Sequence, residues 1–136
     1  MTHVFACRVY YEDTDLAGIV YYANYLRFIE RARTEFVRSL GLDQTEVKDR
    51  TGVVFAVRRI EADYLRPARF DDQIEVRTAP LGASAAQITL GQSIWRGGDH
   101  LFRSSVSLVA LGPDGRPKRL PKLLFDAGNR APPTDL

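Results

Sequence analysis

The sequence has little of what several common chemistries require. A single cysteine in 136 residues, Cys7, excludes an internal disulfide and suits a reducing compartment such as the cytoplasm. Two histidines, His3 and His100, give no HExxH motif and, with one thiol, no zinc-binding set. GxxxxGK[ST] and GxGxxG are both absent, which removes the usual routes to a bound nucleotide cofactor. Gly82-Ala83-Ser84 opens like GxSxG, but Ala86 stands at the final glycine and no strand-to-helix elbow is expected there. No apolar run approaches the ~20 residues that cross a bilayer, so no integral membrane segment is expected. The first residues, MTHVFACRVYYEDTD, lack a basic stretch followed by an apolar one, so no secretory signal is expected either. Nineteen basic residues face seventeen acids, too even a balance for a general nucleic-acid binder. No metal or cofactor is called for.

What is present is the composition of an ordinary globular chain, 45% hydrophobic and 26% charged, with no repeat or long linker. One domain over residues 1–136 is expected, frayed from about Asn129. Residues 4–11 read as a strand rich in β-branched and aromatic residues. From Asn24 to Leu40 the apolar residues Tyr25, Ile29, Ala32, Phe36 and Leu40 recur at steps of three and four, which predicts a helix that Gly41 stops. Its other face carries Arg31 with Glu35, and Glu30 with Arg33 or Thr34. A short second helix is predicted from Asp43 to Arg50, closed by Gly52.

Strands follow. Val53, Phe55 and Val57 alternate, then Ile60, Ala62 and Tyr64 take the opposite parity, so a β-bulge is expected across Arg58-Arg59. Gln73 to Ala79, Ala85 to Trp95 and Leu101 to Leu111 read as further strands, with a hairpin at Gly97-Gly98 and a turn at Pro113-Asp114-Gly115. The order predicts an α+β fold, one long helix covered by an antiparallel meander. A lone helix on such a sheet leaves edges bare, which favours a homodimer or homotetramer.

The richest stretch is Tyr10 to Glu35, YYEDTDLAGIVYYANYLRFIERARTE. Asp13 and Asp15 precede Gly18 and an aromatic run that leads into the long helix. A carboxylate there can act as base or nucleophile, and free N–H groups at a helix start can hold a developing oxyanion. Asp15 can equally be a cap for the turn into the helix. On an extended segment Asp13 and Asp15 would share a side, with Glu12 opposite. Tyr21, Tyr22 and Tyr25 can line an acyl pocket or fill the core. Two basic groups, Arg66 with Arg69 and Lys118 with Arg119 and Lys122, suit phosphates or plain solubility.

Asp-Thr-Asp, Gly-x-Val-Tyr and Tyr-(x)4-Glu-Arg-Ala-Arg together resemble the signature of the hotdog-fold acyl-CoA thioesterases of the 4-hydroxybenzoyl-CoA thioesterase type, nearest their tol-pal-associated branch. Asp63 to Arg69, DYLRPAR, resembles the second recurrent stretch of that family. The resemblance implies a sheet wrapped around one central helix. It also implies an acyl-CoA substrate hydrolysed to free acid and CoA, with the CoA channel at a dimer interface. It matches Asp15 to the catalytic carboxylate, and the backbone N–H of Tyr22 to the group that polarises the thioester carbonyl. Gly18, Val20, Tyr21 and Tyr25 are candidate substrate-binding residues, and Arg66, Arg69, Arg96, Lys118, Arg119 and Lys122 are candidates for the CoA phosphates, among which the motif does not choose. Tyr22 departs from the tol-pal-associated branch, where a histidine is expected, and resembles the hydroxybenzoyl type. The alternative is a non-catalytic hotdog module that binds acyl-CoA or joins an envelope or phospholipid-synthesis complex.

Overall fold

The computed structural model describes residues 2–130. Strand β1 (His3–Arg8) leads through a single 3-10 turn at Tyr11–Asp13 to helix α1 (Asn24–Ser39) and a short helix α2 (Gln44–Thr51). Strands β2 (Val54–Tyr64), β3 (Gln73–Ala83), β4 (Gln87–Arg96) and β5 (Asp99–Leu111) follow, then helix α3 (Lys122–Gly128). All strand pairs are antiparallel, in the order β1-β3-β4-β5-β2.

Helix α1 forms where its periodicity predicts, with Phe28, Ile29, Ala32 and Phe36 fully buried against the inner face of the sheet. Each large side chain so buried contributes about 1.5–3 kcal/mol of hydrophobic free energy. Their partners across the core include Ile74, Val76, Leu90, Ile94, Phe102 and Val106. Gly41 ends the helix with a positive φ of 91°. Asp43 caps α2, its Oδ1 accepting from the N–H groups of Thr45 (2.9 Å) and Glu46 (3.1 Å). The bulge lies where the parity change puts it, between Val57 and Arg59.

Four expectations change. β1 stops at Arg8 rather than at residue 11, because the chain turns into the 3-10 segment that folds Asp13 inward. The strands are not a simple meander: β3, β4 and β5 are, but β2 lies beyond β5 at the sheet edge, and β1 takes the other edge beside β3. Helix α3 was not predicted. It lies against β3 and β4, and Gly128 is what lets it approach, since a Cβ there would collide with the Ala83 side chain. Arg33 does not pair with Glu30 on the solvent face; it is half-buried and donates to Gln92 Oε1 at 3.0 Å. The tail expected to fray from Asn129 lies, from residue 131 on, outside the described residues.

Helix α1 packs chiefly over β1, β3 and β4. The β2 side of the inner face is left open. Val57 and Ile60, opposite the core residues Leu108 and Val106, remain 48% and 38% exposed.

Candidate active site

The segment between β1 and α1 is tied down at both ends by backbone. Val9 N–H donates to Asp72 O, and Asp71 N–H to Val9 O, each at 2.9 Å. The 3-10 turn then carries Asp13 into the interior. Its carboxylate accepts from Tyr10 N–H (2.8 Å) and from the Asn24 side-chain amide (2.9 Å), while its own carbonyl accepts from Tyr21 N–H (2.9 Å). Asp13 therefore joins the start of the loop to the start of α1.

Asp15 has a different setting. Thr14 and Val20 form an isolated bridge, Asp15 N–H donates to Ile19 O at 2.9 Å, and Gly18 N–H returns to Asp15 O at 3.0 Å. Gly18 takes φ 80°, the left-handed conformation such a tight loop demands. The Asp15 side chain is exposed. Its Oδ1 accepts from Ala17 N–H at 2.9 Å, and among the described residues Oδ2 has no partner. The two acids thus do not share a side, because Asp13 itself sits in the 3-10 turn and the extended backbone begins only at Thr14. Asp15 does not cap α1 either: Ala23 is at the N-cap position and no side chain bonds there.

That uncapped start matters chemically. Among the described residues the N–H groups of Tyr22 and Ala23 make no hydrogen bond. Orphan amides at a helix N-terminus carry partial positive charge and accept an anion or a polarised carbonyl. Tyr21 and Tyr22 stand beside them, both exposed, with ring centroids 4.9 Å apart. Tyr25 is buried instead. It stacks on Phe102 at 5.3 Å and 12°, and its hydroxyl accepts from Ala68 N–H at 2.9 Å. Burial raises its phenol above the ordinary value; the Ala68 hydrogen bond and Arg96 oppose this, and Asp72 and Asp15 add to it. Val20 is buried beneath the loop, and its N–H donates to Ala68 O at 2.8 Å.

The segment from Arg66 to Asp72 backs the loop. Ile19 and Arg69 form an isolated bridge, so Arg69 flanks the strip that carries Asp15. Arg66 pairs with Asp99 at 3.3 Å, and Arg96 holds both Asp72 (2.8 Å) and Asp99 (3.3 Å). Among the described residues the Arg69 guanidinium has no ion pair. Arg119 lines a concavity of about 380 Å³ beside α2, with Leu42, Val47, Val53 and Leu123, and Lys122 pairs with Asp126 at 2.7 Å. The two basic groups are therefore separate. Sequence reasoning missed Tyr64, whose hydroxyl donates to Tyr22 O at 3.0 Å; its parity on β2 was readable, but the meeting of β2 with the helix start was not.

Other nucleophiles are remote or quenched. Burial pushes the Cys7 thiol up, with Arg31 opposing and Asp13 reinforcing the shift, so it stays protonated at neutral pH. His3 packs on Phe36, and His100 stacks flat on Trp95 at 4.1 Å, where burial lowers its basicity. His100 lies in β5, which begins at Asp99, ahead of the Leu101 start expected for that strand.

A free carboxylate oxygen near unspent helix N–H groups is the equipment of an acyl-transfer enzyme. Residues 17–102 match the thioesterase superfamily, a span that begins two residues after Asp15. The chain is 38% identical over 117 residues to the acyl-CoA thioester hydrolase YbgC of Escherichia coli, covering 85% of this chain and 87% of that protein. It is 37% identical over 107 residues to the acyl-CoA thioesterase YbgC of Haemophilus influenzae, covering 79% of each. Among solved structures, a probable thioesterase from Bartonella henselae has a TM-score of 0.86 at 35% identity, covering 89% of this chain and 100% of that one. A 1,4-dihydroxy-2-naphthoyl-CoA thioesterase from Synechocystis also reaches 0.86, at 23% identity over 94% of this chain and 96% of that one, and shows the shared fold alone. The fold is the hotdog, and the enzyme class is thioester hydrolase. The chain belongs to the thioesterase superfamily.

Proposed function

We infer that this protein hydrolyses acyl-CoA thioesters to free acid and CoA, with Asp15 as the reacting carboxylate. The observation that carries the reading is that, among the described residues, one Asp15 oxygen and the amides of Tyr22 and Ala23 at an uncapped helix start all lack a partner within one short segment. The names of the YbgC relatives support the substrate class.

The thioester carbonyl accepts a hydrogen bond from Tyr22 N–H, and the partial positive end of α1 stabilises the oxyanion that develops. Asp15 either attacks the carbonyl carbon, giving an acyl anhydride that water then opens, or takes a proton from the attacking water. The thiolate leaves without strong protonation, so no histidine is needed at position 22. Single-turnover hydrolysis in 18O-labelled water separates a nucleophilic Asp15 whose anhydride is opened at its own carbonyl, which leaves the label in the Asp15 carboxylate and releases unlabelled acid, from direct attack by water, which puts the label in the acid. Arg69, without an ion pair among the described residues and beside the Asp15 loop, receives a CoA phosphate; Arg66 shares Asp99 with Arg96 and contributes more weakly. Gly18 and Val20 shape the floor, and Tyr21 borders the acyl group.

In one protomer the proposed site faces solvent, with Asp15, Tyr21 and Tyr22 all exposed. A second copy closes it. β2 is an edge strand of 11 residues, about 35 Å long at ~3.3 Å per residue, with Val57 and Ile60 bare on its inner face. Antiparallel pairing of two such edges brings the Val54 end of one protomer to the Tyr64 end of the other, beside Tyr22. The enzyme thereby works as a homodimer or a dimer of dimers, in the cytoplasm, where free Cys7 stays reduced. Among the described residues no helix is long and apolar enough to cross a membrane.

The deciding experiment is thiol release from short, medium, long and aromatic acyl-CoAs, with Asp15→Asn alongside. Turnover that falls about a hundred-fold or more in Asp15→Asn, with binding kept, supports the reading. Activity within a few-fold of wild type removes Asp15 from the chemistry. Tight binding with no thiol released by the wild type would make the protein a binding module.

A further inference from the structure

Tyr64, the last residue of β2, reaches across the protomer to the start of α1. Its hydroxyl donates to the Tyr22 carbonyl at 3.0 Å. Tyr22 precedes the N-cap residue Ala23, so its carbonyl lies outside the helical ladder, which begins with Leu26 N–H donating to Ala23 O at 3.1 Å. Among the described residues, Tyr64 therefore supplies the hydrogen bond that the Tyr22 carbonyl receives.

The consequence follows from peptide geometry. A trans peptide is planar, with C=O and the next N–H on opposite edges, so fixing the Tyr22 carbonyl fixes the direction of Ala23 N–H. It also restrains the rotation that aims Tyr22 N–H. A helix N-terminus is ordinarily steadied by a capping side chain that consumes its amides. At Ala23 there is none, and Tyr64 steadies the same turn from its carbonyl side, leaving the amides unspent.

The ring that delivers the hydroxyl is itself held. It meets Tyr25 edge-on at 5.2 Å, Phe102 at 5.2 Å and Tyr22 at 6.3 Å. Burial, reinforced by Tyr22 and Tyr25, raises the Tyr64 phenol above its ordinary value, which keeps it a protonated donor at neutral and mildly basic pH.

We propose that Tyr64 is a positioning residue, holding the Tyr22–Ala23 peptide so that the N–H groups of Tyr22 and Ala23 stay aimed at the substrate carbonyl. The inference rests on the reading of that helix start as the carbonyl-binding site. It makes the edge strand and the oxyanion donors one mechanical unit.

Tyr64→Phe removes the donor and keeps the ring. kcat for thiol release should fall about tenfold with KM within about two-fold, the loss of one hydrogen bond felt mainly in the transition state. The carbonyl-13C resonance of Tyr22 should move in the same variant, and the dissociation constant of a non-hydrolysable thioether analogue should not. Replacing Tyr64 by 4-aminophenylalanine, which restores a donor on the same ring, should recover most of kcat and settles the matter if Tyr64→Phe folds poorly. A wild-type kcat in Tyr64→Phe, a rise in KM alone, or a loss that the amino analogue leaves unrepaired would overturn the role of Tyr64. Asp15→Asn in the same assay keeps the two claims apart. If Asp15→Asn stays active, the site reading itself fails; if it is inactive while Tyr64→Phe is normal, only the positioning role fails.

Discussion

Asp13 and Asp15 are two positions apart and have opposite surroundings. Asp13 is 5% exposed and satisfies two donors, the Tyr10 amide and the Asn24 side chain. Removing its carboxylate leaves the buried Asn24 amide and the part-buried Tyr10 N–H without an acceptor. Asp13→Ala is therefore expected to lower stability by about 1–3 kcal/mol, the usual penalty for unsatisfied buried polar groups. Thermal unfolding checks this; an unchanged Tm would mean that water replaces the carboxylate. Asp15 is exposed and gives one oxygen to a local turn, so its loss should affect turnover and leave Tm nearly unchanged. The motif in the sequence pointed to Asp15, but a strand-like alternation put both acids on one side. That expectation failed because Asp13 ends a 3-10 turn and extended backbone starts only after it, at the Thr14 bridge to Val20.

At the scale of elements, the start of α1, to which the proposed function assigns the chemistry, is unusual in having alanine where a helix of this length normally has a capping side chain. Position 22 tests whether backbone or side chain matters. Tyr22→Phe should leave kcat within a few-fold. Tyr22→Pro removes an N–H that makes no internal bond, at a helix start where proline is tolerated, and kcat should fall about a hundred-fold or more, as for one oxyanion donor. Steady-state kinetics with circular dichroism as a folding control decides it. Equal damage from the two substitutions would make the hydroxyl the working group and refute the backbone mechanism. Helix α1 and the β2 bulge were readable because apolar period and parity are local properties of a chain. Helix α3 was not: its short run, KLLFDAG, gains stability from Gly128 fitting against Ala83 and Ile88, a contact across some forty residues.

For the whole molecule, the inner face of the sheet is larger than one helix covers, and its bare part lies along β2. Long exposed edges with apolar side chains seek a partner strand. The protein should sediment as a dimer or larger at micromolar concentration. Ile60→Lys, which sets a charge on the exposed edge, should shift it toward monomer and reduce thiol release in parallel, since the site is then open on one side. Analytical ultracentrifugation with an activity measurement on the same samples tests both parts. A fully active monomer would end the shared-site reading.

The sequence by itself determined the class: α1, α2, the bulged β2, the glycine turns and the run from Asp13 to Arg33 are encoded in neighbouring residues, through periodicity, turn chemistry and a contiguous motif. Tertiary structure alone decided which carboxylate is buried and, among the described residues, that Arg69 has no ion pair and that the Tyr22 and Ala23 amides make no hydrogen bond. Each of those depends on what arrives from elsewhere in the chain. Asp99 and Asp72 take up Arg96, Asp99 also takes Arg66, and Arg69 is left over. Tyr64 meets Tyr22 only because β2 crosses beyond β5 to the sheet edge. Satisfaction of polar groups is a property of the packed whole, so it is legible only once the sheet has closed on the helix.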